Sequence, residues 1–149
     1  MADTIRQRIV DAIDTRFKAI KKTGGYATDI GNHVFWWKES TLQVSDLPGM
    51  NCRDKSPEKE LGCGVEDNIL PIEIEAGVSG STTPAELRKI VADINKAIGV
   101  DETWGDLAQT TDLKEDSISL TQNENKVGLV TLTMTIEYTL VRFDDYTLA

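Results

Sequence analysis

The longest regular pattern in the chain lies near its end. Across residues 127–143, VGLVTLTMTIEYTLVRF, apolar side chains recur at every second position as Val130, Leu132, Met134, Ile136, Tyr138 and Leu140. Thr131, Thr133, Thr135, Glu137 and Thr139 occupy the positions between them. A repeat of two specifies an extended strand with one face buried and the other polar. At about 3.3 Å per residue this strand would reach roughly 55 Å, whereas an ordinary strand has about five or six residues. A chain of 149 residues folds into a body only about 35–40 Å across. The strand is therefore expected either to bend at a bulge or to project past its own domain and meet something else. Ahead of it, DSISLTQ and the polar turn NENK complete a hairpin signal.

Two other segments follow the helical period. Ile5, Ile9, Ala12, Ile13, Phe17 and Ile20 fall on one stripe, with Lys21 and Lys22 at the negative end of the helix dipole and Gly24-Gly25 as its stop. Farther on, Thr83-Pro84-Ala85-Glu86 supplies an N-cap, a proline at the first helical position and a glutamate two residues later, which together form a capping box. Leu87, Ile90, Val91, Ile94, Ala97 and Ile98 form that helix's stripe, and Gly99 ends it.

Between the helices, NHVFWWKES reads as a strand, and LPGMNCRD as a short one entered through a Pro48-Gly49 turn. In NILPIEIEAGV, Ile72, Ile74 and Ala76 alternate with Glu73 and Glu75, and Pro71 marks an edge or a strand start. The polar stretch from Lys55 to Asp67, with Pro57, Gly62 and Gly64, predicts an exposed loop. DETWGDLA predicts an irregular turn anchored by Trp104. The expected order is α-β-β-β-α-β-β. It describes a single α+β domain over residues 1–149, with a polar loop insertion at about 55–67. Its twisted, mainly antiparallel or mixed sheet would carry two helices on one face and end on the long strand.

Composition narrows the classes. At 40% hydrophobic and 28% charged residues the chain is an ordinary globular one. No apolar run approaches the roughly 18 residues of a membrane span, and MADTIRQRIVDAIDTRF lacks a signal-peptide centre. No membrane partner is expected, and synthesis in the cytoplasm is. The net charge of −9 is uneven, with six basic and three acidic side chains in residues 1–22 but three basic and ten acidic ones in residues 101–149. Only the first helix offers cations to a nucleic-acid backbone, so no sequence-specific nucleic-acid partner is expected. The opposed ends could complement each other between copies of the chain.

Candidate chemistry is sparse. Cys52 and Cys63, ten residues apart in between, match no zinc signature, and free thiols are expected. His33 is the only histidine, and its neighbours Asn32 and Val34 suggest no triad. Glu73 and Glu75 share a face and could hold a divalent metal with His33, although solvent-side alternation accounts for them. GVSGSTTP precedes a helix but lacks the Gly-Lys-Ser/Thr and GxGxxG orders of phosphate and dinucleotide loops. No catalytic residue, metal or cofactor is assigned, and the chain is expected not to be an enzyme. Phe35, Trp36 and Trp37 cannot all face one core; with Val34 and Trp36 inward, Phe35 and Trp37 would point outward together, as for a protein contact.

With these elements in order, the chain resembles the tail terminator (tail completion, minor tail protein U-like) proteins of long-tailed bacteriophages and prophages. The likeness rests on the leading amphipathic helix, HVFWWKE followed by LPGMNCRD, ILPIEIEAGV, TPAELRKIVADINKAIGVDETWGDLA and the closing VGLVTLTMTIEYTLVRFDDY. It spans nearly the whole chain, through architectural patterns with no single signature. Two departures stand out: Asp144-Asp145-Tyr146 where relatives often show Asp-Pro-Tyr, and the polar insert with Cys52 and Cys63. The resemblance implies a homomeric ring, typically a hexamer, at the head-proximal end of the virion tail. The ring would cap the tail tube protein, end tube growth and meet the head–tail connector or stopper protein after assembly in the bacterial cytoplasm. Candidate subunit-interface residues are Phe35, Trp37, Thr131, Thr133, Thr135, Glu137 and Tyr146. A head–tail stopper and a tube subunit are the near alternatives, and a small metal- or ligand-binding module is the alternative of another class.

Overall fold

A computed structural model describes residues 3–40, 42–80, 83–122 and 126–149. The first helix, α1, spans Ile5–Lys18, and Thr4 caps it by accepting the Gln7 N–H at 3.1 Å. Ile5, Ile9, Ile13 and Phe17 form its buried stripe, as the periodicity requires. The helix ends earlier than expected. Lys21 and Lys22 lie beyond it, and Arg16 and Lys18 are the cations of its last turn. Gly25, at φ 88, closes a short 3-10 turn instead of ending α1. The chain returns across the helix end at Gly31, whose N–H donates to the Ile20 carbonyl at 2.9 Å. A Cβ there would lie 2.6–2.7 Å from the carbonyl oxygens of Phe17, Lys18 and Ile20, so only glycine allows the approach.

Seven strands follow among the described residues: β1 (Val34–Trp36), β2 (Gly49–Asp54), β3 (Glu58–Leu61), β4 (Val65–Ser79), β5 (Thr110–Gln122), β6 (Lys126–Val141) and β7 (Asp144–Leu148). Helix α2 (Thr83–Val100) stands between β4 and β5. The Thr83 side chain expected to cap α2, and the hairpin turn at 123–125, lie outside the described residues. The sheet runs β1-β2-β4-β6-β5, with β3 also on β4 and β7 also on β6. Only β1 and β2 are parallel. This is the α+β fold that the sequence predicts, with two strands more than the expected order.

Both extra strands are short, and their residues are mostly exposed. The stretch read as a loop at 55–67 holds β3, which pairs with β4 from Glu58↔Ile69 to Leu61↔Glu66, and β4 itself begins at Val65. All four residues of β3 are exposed, so no apolar alternation marks it. Backbone pairing holds it in place.

The spine of the sheet is β4 against β6, in register from Val65↔Val141 to Ser79↔Val127. Leu70, Ile72, Ile74 and Ala76 face Ile136, Met134, Leu132 and Val130 on one side, all fully buried. Both helices pack on that side, with Leu87, Ile90, Ile94 and Ala97 of α2 completing the core. Trp104 fills the seam beside α1, its ring edge-on to Phe17, under the Arg16 guanidinium, with its indole N–H on Thr111. Asp93 of α2 ties down the loop after α1 by accepting from the backbone N–H groups of Ala27 and Thr28 and from the Thr28 hydroxyl.

The long strand does not overshoot its sheet. Of the sixteen residues of β6, all from Val127 to Val141 are paired with β4, and its other edge meets β5 and then β7. It is an inner strand. The sheet ends on β1 at one side and on β5 at the other, and β5, the longer of these two edge strands, slips its register at a bulge between Glu115 and Ser117.

Candidate functional site

On the face of the sheet away from the helices, the threonines of β6 form a row between two strands. Thr131 lies between Glu75 and Ser117, Thr133 between Glu73 and Lys114, Thr135 between Pro71 and Asp112, and Glu137 between Ile69 and Thr110. Cross-strand neighbours tie this face together. The Thr133 hydroxyl donates to Asp116, and the Thr139 hydroxyl donates to Asp67 at 2.7 Å while accepting from Gln109. Glu73 pairs with Arg53 at 3.3 Å and with Lys55 at 3.9 Å. The result is an open, polar, hydrogen-bonded surface.

Thr131, Thr133, Thr135 and Glu137 therefore share one face, and Phe35 of β1 lies on the same side of the sheet. Tyr146 does not join them: it is half-exposed on β7, which meets β6 only at Leu140 and Val141. The structure also separates the two aromatics expected to point outward together. Phe35 pairs in register with Asn51 on the threonine side, half-buried, with its ring stacked on His33 and Lys38 above it. Trp37 leaves the strand in a left-handed conformation, φ 57, which turns its ring to the helix side. There it stays 53% exposed, with its indole N–H on Asp54 Oδ1 at 2.8 Å. Alternation fails because β1 ends at Trp36.

Trp37 borders a polar hollow of about 450 Å³ with Arg6, Asp14, Trp36 and Asp54. Burial pushes the Asp54 carboxyl up, but hydrogen bonds from Trp37 and Arg6 and the Arg6 charge outweigh it and hold the group below its ordinary value. Trp36 donates to Asp14 at 3.1 Å. These carboxylates thus serve as acceptors for neighbouring side chains.

A second hollow, of about 190 Å³, contains two buried acceptors without hydrogen bonds, Glu66 Oε1 and Asn68 Oδ1. Lys59 Nζ comes within 3.3 Å of Glu66 Oε1, an ion pair without hydrogen-bond alignment. The adjoining Tyr138 hydroxyl is pushed up to about 12, first by burial, against Arg6 and with the charges of Asp145 and Glu66.

The residues considered for catalysis or metal do not converge. His33 Nδ1 lies 3.2 Å from the Pro48 carbonyl, beside β1, and β2 separates β1 from the glutamates of β4. Among the described residues no three His, Cys, Asp or Glu side chains are placed to hold a metal ion. Both cysteines are free, Cys63 exposed and Cys52 fully buried, where desolvation drives its thiol far above the ordinary range and leaves it unreactive.

Sequence periodicity missed three exposed apolar positions. Ile118 and Leu120 lie on the core-side parity of β5, opposite Val130 and Gly128, yet are 49% and 53% exposed. Phe143, in the turn between β6 and β7, is 85% exposed at φ 64. Only the aromatic character of VRFDDY hinted at it.

No protein-family model matches the chain, and no curated protein matches it.

Proposed function

We propose that the chain is a structural subunit of a long-tailed bacteriophage tail, the terminator that closes the tail tube as a ring of six copies. The ring occupies the growing end of the tube once the correct length is reached, and its opposite surface receives the head–tail connector. It makes and breaks no covalent bond. Beyond the sequence resemblance, one structural observation supports the reading. The sheet has two chemically different sides and an unpaired edge strand of thirteen residues, β5, so one copy offers a neighbour surfaces that are not copies of each other. Subunits that meet through different patches form closed rings when the rotation closes. A ring with unlike faces also binds a tube end without recreating the same site.

Phage lacking the protein test this directly. Their lysates are expected to contain overgrown tails, or tails unattached to heads, beside heads filled with DNA. Adding the purified protein should restore joining without nucleotide or metal. Electron micrographs showing tails of normal length attached to heads in the mutant lysate would refute it.

A further inference from the structure

Phe143 is hard to account for within the monomer. Its left-handed backbone is one that glycine adopts freely and a bulky side chain only with strain. Its ring touches little, being 85% exposed with the Arg142 guanidinium 4.7 Å from its centre. The chain thus holds a strained aromatic outward at the tip of a hairpin. On its two sides in sequence are a cation, Arg142, and two anions, Asp144 and Asp145.

Elsewhere on the molecule is a groove of about 420 Å³ between α2 and β5. Its apolar lining includes Val91, Ala92, Leu113 and Ile118, and its charged members are Arg88 on α2 and Glu115 on β5. An apolar cavity of about 150 Å³ already accepts a benzene ring, so the groove has room for a phenyl group. Ile118 is half-exposed because nothing among the described residues covers this end of β5. Arg88, Glu115 and Arg142 form no ion pair among the described residues. The tip therefore reads cation, ring, anions, and the groove reads anion, apolar floor, cation.

We propose that the Phe143 ring of one copy seats in the α2–β5 groove of a second copy, with Arg142 against Glu115 and Asp144-Asp145 against Arg88. A copy cannot fill its own groove. From Met134, the β6 partner of Leu113, to Phe143 is roughly 30 Å along an extended strand at about 3.3 Å per residue. Tip and groove are different patches, so the contact is heterologous and propagates from copy to copy. The contact deepens the ring reading and rests on it only for the premise that copies meet head to tail.

Sedimentation velocity over a concentration series gives the first measurement. Phe143→Gly is expected to weaken self-association about tenfold or more while leaving the melting temperature unchanged or raised, because glycine relieves the backbone. Ala92→Glu, at an exposed position of the groove, should weaken it comparably. Glu115→Arg and Arg142→Glu should each weaken association, and the two together should recover much of it. Disulfide trapping locates the contact: in a Cys63→Ser background, Phe143→Cys mixed with Ala92→Cys should cross-link between copies faster than Phe143→Cys mixed with Ser45→Cys. A wild-type protein that stays monomeric, equal association by Phe143→Gly, a double reversal no better than its singles, or trapping no faster than the control would each overturn the contact. Rings that form equally well with Phe143→Gly would overturn it and leave the ring reading standing. Tails of normal length in the phage test would remove the ring reading and leave the contact to these measurements.

Discussion

Replacing Asp93 with alanine should release the loop that follows α1. The carboxylate is 96% buried by its 4% exposure and accepts the Ala27 N–H at 3.1 Å, the Thr28 N–H at 2.8 Å and the Thr28 hydroxyl at 2.6 Å. Hydrogen bonds to a charged group contribute about 1.5–3 kcal/mol each, and a buried donor left alone costs a further about 1–3 kcal/mol. The three converge on one carboxylate, Ala27 on Oδ1 and both Thr28 groups on Oδ2, so their sum is less than additive, and a total of about 3–5 kcal/mol follows. In a chain of this size about 1 kcal/mol moves the melting temperature by roughly 2–4 °C, giving a fall of roughly 10–15 °C. Asp93→Asn keeps one acceptor oxygen but turns an amide toward the donors, and should lose about half as much. Urea unfolding followed by circular dichroism measures both variants. A loss below about 1 kcal/mol for Asp93→Ala, at unchanged slope, would show that water satisfies the donors and that the carboxylate does not anchor the loop.

Ile136→Asp should cost several kcal/mol, about 3 or more, by placing an unpaired charge in the core, while Thr135→Asp on the open face leaves the fold intact; equal falls in melting temperature would contradict the faces described. Asp54 gives the pH dependence. Its folded pKa is below the unfolded value of about 3.9, so its contribution is complete above that value and is lost as pH falls through the folded one. Asp54→Asn should therefore melt lower than the wild type at neutral pH, with the gap narrowing below about pH 4; a gap that widens on acidification would reverse the sign.

Where a long run kept one period, the fold was legible: β6, β4 and both helix stripes follow from which residues alternate. Alternation assigns a face but no neighbours. It placed Thr131, Thr133 and Thr135 on the open side, yet could not tell that β6 lies inside the sheet with β5 at the edge. The strand at 58–61 has no buried residue to set a rhythm, and only its pairing with β4 defines it. Left-handed residues defeated the reading in two places. Trp37 leaves its strand and parts from Phe35, and Phe143 occupies a turn position where glycine would have been the signal. The groove was beyond sequence altogether, because it depends on how far α2 covers β5.

The β4–β6 register has a mechanical consequence. A tension applied along the two strands in opposite directions loads every rung from Val65↔Val141 to Ser79↔Val127 in shear, so the rungs must yield together. A force that pries the strands apart at one end meets a single rung at a time. The fold is therefore stiff along this axis and compliant across it, and the direction of a load relative to the spine sets how much of it the fold bears.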